Sequence, residues 1–200
     1  MKKSLIATGA ASLALAAMPV VGAFAAGTVT DTVILTIQGS CSVGGAAGSS
    51  SNTGKTIEEP NAVNNHLYTY DATAASGGTL KVSCNASNGW NVKAVGAGTG
   101  SSVTNMDATG SGTEIATGTT FSGGTSAWGF KLASGGTGVT VADGYGTFTA
   151  VPGTATKVAS GTAAISEGTI YTGYQVWVSA TQQADTYTGK VTYTIAEGTS

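Results

Sequence analysis

Apolar and polar residues alternate with a period of two in short runs along this chain, and Gly-, Ser- and Thr-rich stretches separate the runs. That period belongs to half-buried β-strands, whose successive side chains point to opposite faces. Within residues 28–38, Val29, Val33, Leu35 and Ile37 share one parity and Thr30, Thr32 and Thr36 the other, with Asp31 and Ile34 breaking the alternation. Cys41 keeps the inward parity. Leu80, Val82 and Cys84 share a face, as do Trp90, Val92 and Ala94 after the turn signal Asn88-Gly89, so these two runs are expected to close a short hairpin. Trp128, Phe130 and Leu132 form a further apolar face, and Tyr174, Val176 and Val178 another. The last run sets Tyr187, Val191, Tyr193 and Ile195 against Thr188, Lys190, Thr192 and Thr194. Beyond the first 25 residues Gly and β-branched residues interrupt every helical candidate. The pattern predicts an all-β chain, a sandwich built mainly of antiparallel strands. Segments 42–54 and 96–120 hold little to build a packed interior and read as long, mobile Gly/Ser/Thr surface loops.

The N-terminus departs from this pattern. Lys2 and Lys3 precede an apolar run from Leu5 to Val21, and Ala23-Phe24-Ala25 supplies the small-x-small sequence that signal peptidase reads. The run is short for a bilayer-spanning helix and a polar, Thr-rich stretch follows it. Residues 1–25 therefore read as a cleaved signal peptide, the alternative being a retained N-terminal membrane helix. Residues 26–200 are expected to form one β-sandwich domain, long enough to bury a core, with no stable transmembrane segment once the signal is removed. The destination is outside the cytoplasm, extracellular or at the cell surface.

Composition narrows the partners. The chain has eight Lys and no Arg, and with Lys2 and Lys3 removed six Lys face ten Asp and Glu, leaving a net charge of −4. Nucleic-acid recognition rests on basic patches and Arg forks, so a nucleic-acid partner is not expected. Charged residues make up only 9% of the chain and Gly and Ser abound, a composition that also suits disorder. The clustering of aromatic and β-branched residues in alternating runs favours pleated sheet instead. The two cysteines, Cys41 and Cys84, lie in an exported chain, and an oxidising compartment favours a disulfide between them. Their spacing is not that of a CxxC redox pair, and zinc ligands to accompany them are missing. Closing so long a loop is worth about 4 kcal/mol by chain-entropy reasoning.

Catalytic chemistry finds little support. A Ser-His-Asp triad would need His66, the one histidine, which sits in the polar stretch Asn61-Ala62-Val63-Asn64-Asn65-His66 and reads as a surface-loop residue. Glu58-Glu59 precede Pro60 and read as a solvated turn rather than a glycosidase pair. Asp107, Glu114 and Asp143 have no recognisable partners, and Asp143-Gly144 suits a turn as well as a calcium loop. No cofactor, metal site or enzymatic activity is expected. Aromatic residues remain as candidates. Trp177 has parity opposite to Val176 and Val178, yet interior Trp is usual in this fold class, so it is expected in the core of a sandwich covered on both sides. The alternative is an outer sheet face, where an indole can stack on a sugar ring.

These pieces together resemble pilin-like proteins of the spore coat U and chaperone–usher kind. The likeness rests on the export signal, on Ser40-Cys41-Ser42-Val43 ending a first strand, and on the second cysteine in Lys81-Val82-Ser83-Cys84. It implies an immunoglobulin-like antiparallel sandwich whose cysteines bridge the first strands. The ending Gln182-Gln183-Ala184-Asp185-Thr186-Tyr187-Thr188-Gly189-Lys190-Val191-Thr192-Tyr193-Thr194 is similar to the QPAGTYTGTVTYT close of bacterial surface β-sandwich proteins, and Trp128-Gly129-Phe130 to their WGY motif. Gln183 and Asp185 stand where that close has Pro and Gly, which bears on the turn before the last strand.

The expected function is a secreted or cell-surface structural or adhesion protein, and within that a pilus-like fibre subunit. Its partners would be other surface subunits or its own copies, joined by strand addition through Val29, Val33, Leu35 and Ile37. The same run also suits pairing inside its own sandwich. The alternative function is a carbohydrate-binding module that recognises cell-wall or host glycans through Trp177.

Overall fold

The computed structural model describes residues 41–44, 64–74 and 78–198, all within one compact unit, Ile37–Ser200. The signal segment 1–25, the strand candidate 28–38 and Glu58-Glu59 lie outside the described residues. The elements are β1 (Cys41–Gly44), β2 (His66–Tyr70), β3 (Gly78–Cys84), β4 (Trp90–Gly96), β5 (Asp107–Ala108), β6 (Ala116–Thr117), β7 (Ala127–Ser134), β8 (Thr140–Val141), β9 (Thr156–Gly161), β10 (Ile165–Val178), β11 (Tyr187–Thr188) and β12 (Val191–Glu197). No helix occurs among the described residues.

One sheet runs β1-β3-β10-β7-β6, a second runs β12-β4-β9-β8, and β11 and β5 form a small ribbon. All pairings are antiparallel except β6 with β7. The 14-residue β10 organises the first sheet. On one side it carries β7. On the other it carries β3 along its first half, with Ile170 opposite Leu80, and β2 along its second half, with Val176 opposite Tyr68.

The expected parities hold. Leu80, Val82, Cys84, Trp128, Phe130, Leu132, Ile170 and Val176 from the first sheet share one core with Trp90, Val92, Ala94, Val158 and Ala159 from the second. Two sheets closing over one apolar interior is the layout of a β-sandwich. Leu80, Val82, Trp90, Val92, Phe130, Leu132 and Ile170 are each at most 1% exposed, so their burial supplies much of the driving force at about 1.5–3 kcal/mol for each large aliphatic or aromatic side chain.

Several expectations change. Residues 42–44 of the expected loop 42–54 belong to β1, and the rest of it lies outside the described residues. The turn at Asn88-Gly89 forms, with Gly89 at φ 83° and its N–H bonded to Ala86 O at 3.1 Å. It does not close a hairpin. β3 pairs with β1 and β10, and β4 with β12 and β9, so the turn carries the chain from one sheet to the other. Both runs are apolar on one face only, and facing layers bury such faces better than adjacent strands of one sheet.

The segment 96–120 is structured rather than a plain loop. It contains β5, β6 and an antiparallel bridge between Met106 and Ile115, and Ile115 is buried in the core. His66 stands on β2, not in a loop, with its ring edge-on to Tyr68 at 4.7 Å. The last apolar run is divided at Gly189-Lys190 into β11 and β12, and its parity survives the break. Tyr187, Val191, Tyr193 and Ile195 pack against the core while Thr188, Lys190, Thr192 and Thr194 face out.

Candidate functional site

The cysteines are bridged. Cys41 and Cys84 lie directly opposite each other in the β1–β3 register and form a disulfide spanning 43 residues. This fastens a short edge strand of the first sheet to its neighbour.

Among the described residues β12 has a neighbour, β4, on one side only. Its inward row, Val191, Tyr193 and Ile195, packs on the core yet is only half-buried, whereas the matching row of β4, Trp90, Val92 and Ala94, is wholly buried. The hydroxyl end of Tyr193 is buried without a hydrogen-bond partner among the described residues. Burial pushes this phenol well above the ordinary tyrosine range, and Tyr174 beside it acts in the same direction. A strand edge of this kind offers a row of main-chain donors and acceptors above partly covered apolar side chains. Val29, Val33, Leu35 and Ile37, the strand-addition candidates, lie outside the described residues.

Trp177 is on β10, on the face turned away from the core, and its indole is half-buried. Its Nε1–H donates to Gly123 O at 2.9 Å, which fixes the ring against the 121–125 loop. Leu67, opposite Trp177 in the register, is 37% exposed. The adjoining pair is polar, with Gln175 Nε2 donating to Thr69 Oγ1 at 2.9 Å. Further along the same face Lys131 forms an ion pair with Asp71 and lies 4.7 Å from the centre of the Phe148 ring. The ion pair and the Ala72 N–H hold the Asp71 carboxyl below its usual value. The outer face is thus a mixed aromatic and polar surface. Contrary to expectation, Trp177 is not a member of the core, because its parity on β10 is opposite to that of the buried Val176.

The isolated acids acquire partners that the sequence did not reveal. Asp107 accepts the Thr99 N–H at 2.7 Å, the Thr99 hydroxyl at 2.8 Å and the Gly100 N–H at 2.9 Å. Glu114 accepts the Ser101 N–H at 2.7 Å, the Ser101 hydroxyl, and the Asn105 amide at 2.9 Å. Asp185 takes the N–H groups of Gly112 at 2.8 Å, Thr186 at 2.7 Å and Gly110 at 3.0 Å. These bonds favour the charged form and lower all three carboxyl groups, the largest contributors being the Thr99 N–H, the Ser101 hydroxyl and the Gly112 N–H respectively. The partners are backbone N–H groups, hydroxyls and one amide of Gly/Ser/Thr-rich turns. A lone acid beside a Gly/Ser/Thr cluster is the one sequence signal that could have found them. Asp143 and Gly144 form part of a turn. Among the described residues no group of three or more His, Cys, Asp or Glu side chains is placed to hold a metal ion.

A shallow cleft of about 280 Å³ opens at the end of β10, lined by Thr113, Glu114, Gly124, Ser126, Ser179 and Gln182 among others. Its polar groups bond to the protein itself. Ser126 Oγ meets Ser179 Oγ at 3.2 Å, and Gln182 Nε2 donates to Thr113 O and Tyr187 Oη at 2.7 Å each. Comparison with family models, with curated proteins and with solved structures finds no match for the chain.

Proposed function

We propose that this is an exported, non-catalytic structural or adhesive protein of the bacterial surface, an immunoglobulin-like, pilin-like sandwich whose copies join by strand addition. The observation that carries this reading is the edge of β12, paired on one side only among the described residues, above the half-buried row Val191, Tyr193 and Ile195. An incoming strand would satisfy its main-chain groups and cover those side chains. Residues 28–38, which lie just ahead of the disulfide-anchored β1 in the sequence, have the alternation such a strand needs, with Val29, Val33, Leu35 and Ile37 on one parity. An intact disulfide and an environment outside the cytoplasm go together.

The test is non-reducing electrophoresis of surface extract with and without boiling, for the full chain and for a chain lacking residues 27–38. A heat-sensitive ladder that the deletion abolishes supports strand addition. Intact assembly in the deleted chain, or a lone monomer band in the full one, refutes it. Glycan binding is the second reading, favoured by the outward indole of Trp177 beside the exposed Leu67.

A further inference from the structure

The closing segment 182–188, which the sequence marks out as a motif, has a use that strand addition does not absorb. Between β4 and β6 the chain makes an excursion, 97–115, that folds on itself. Asp107 gathers Thr99 and Gly100, Glu114 gathers Ser101 and Asn105, and Met106 and Ile115 exchange backbone bonds of 2.9 and 3.2 Å. The folded excursion is then fastened to the closing segment. β5 pairs with β11, the Thr109 N–H donates to Thr186 O at 3.0 Å, and Gln182 Nε2 reaches Thr113 O. Asp185 holds the N–H groups of Gly110 and Gly112 with a single carboxylate. Beneath lies Trp128, 2% exposed, its Nε1–H bonded to Thr104 O of the excursion at 2.9 Å.

We propose that residues 97–114 form a flap over Trp128, latched to the closing segment by Asp185 and hinged at the buried Ile115, and that acidification opens the latch while the two main sheets stay folded. The flap is separable because its fastenings to the closing segment join exposed or half-buried residues, unlike the buried pairings of β3, β4, β7 and β10. Of these fastenings the Asp185 bonds depend on carboxylate charge, and so do the Asp107 and Glu114 bonds that fold the excursion on itself. Asp107 and Glu114 face each other across Gly100, whose added Cβ would touch both. Lys190 faces Asp107, and the Tyr187 hydroxyl lies on the same side of Gly112 as Asp185.

The direction follows from the carboxyl groups being lowered in the folded chain. Their contribution is complete above the unfolded carboxylate range of about 3.9–4.3 and is lost as pH falls through the lower folded values. The flap therefore stays shut at neutral pH and opens below about pH 4.

Hydrogen exchange on the full chain tests this, read as protection factors so that intrinsic pH effects cancel. The amides of Thr99, Gly100, Ser101, Gly110 and Gly112 should lose about tenfold or more of their protection on acidification while those of Val92 and Ile170 keep theirs. In Asp185→Asn the amides of Gly110 and Gly112 should already have lost it at pH 7, with protection at Val92 and Ile170 showing that the variant is folded. Loss of flap and sheet protection together at every pH overturns the proposal, as does an Asp185→Asn variant with the parent pH profile. The readout needs a single copy only, so it stands or falls separately from assembly.

Discussion

Adding one methyl group at either of two glycines should have opposite effects. At Gly161, the last residue of β9, a Cβ would sit 2.5 Å from Trp90 Nε1, 2.6 Å from Trp90 Cε2 and 2.6 Å from Gly138 O. Carbon atoms in good contact lie about 3.5–4.0 Å apart, so roughly 1 Å of overlap has to be absorbed. Trp90 cannot yield it cheaply, because it is 0% exposed and sits in the core beside Val92 and Val158. Gly138 O is backbone. Overpacking of this kind costs about 1–3 kcal/mol, offset by the ~0.4–1 kcal/mol that Gly→Ala gives by restricting the unfolded chain. Gly161→Ala should therefore lose about 1–2 kcal/mol net, equivalent to a fall in Tm of about 2–8 °C for a chain of this size.

Gly146 has nothing within 4 Å of the equivalent Cβ and no positive φ. Gly146→Ala should be neutral or gain up to ~1 kcal/mol. Urea unfolding of oxidised protein, followed by Trp fluorescence, measures both against the parent with the slope held common. A Gly161→Ala midpoint at or above the Gly146→Ala midpoint would refute the close approach of β9 to the Trp90 indole.

Two further outcomes are expected. Replacing Cys41 and Cys84 together by Ser should lower stability by about 4 kcal/mol on the loop-entropy account, and an unchanged urea midpoint would mean that the bridge restrains nothing that the unfolded chain explores. Trp177→Ala should remove binding on an array of wall and host glycans if the outer face is a sugar platform; binding that persists unchanged takes Trp177 out of any such site, and its indole then serves only to hold Gly123.

Strand faces were readable because burial imposes a period of two. Leu80, Val82 and Cys84, or Trp128, Phe130 and Leu132, announce their inward side whichever strand they come to lie beside. Partner choice leaves no such local trace. The Asn88-Gly89 turn is compatible with a hairpin and with a crossing between sheets, and only the presence of β10 and β9 as better neighbours decides it. The split of the final run at Gly189 was equally hidden, since its cause is the Trp128 ring packed against that glycine from another strand. Segment 96–120 looked empty because its organising groups, three carboxylates and the backbone N–H groups they gather, carry no hydrophobic pattern. The parity of Trp177 pointed outward while the usual place of Trp in a sandwich pointed inward, and parity was the better guide; its half-burial depends on the Gly123 loop, which periodicity does not encode.

The shared edge of β10 has a kinetic consequence. Lys81 waits for Thr169 and Leu67 for Trp177, so the first sheet cannot close until the chain has been delivered almost to its end. Pairings this distant in sequence fold slowly and leave early strands uncovered meanwhile. The Cys41–Cys84 bond joins two strands that both emerge before β10. Oxidation can therefore tie the first pair before β10 is in place. A chain crossing a membrane N-terminus first would thus have one long-range contact made covalent, and a smaller search left, before its central strand arrives.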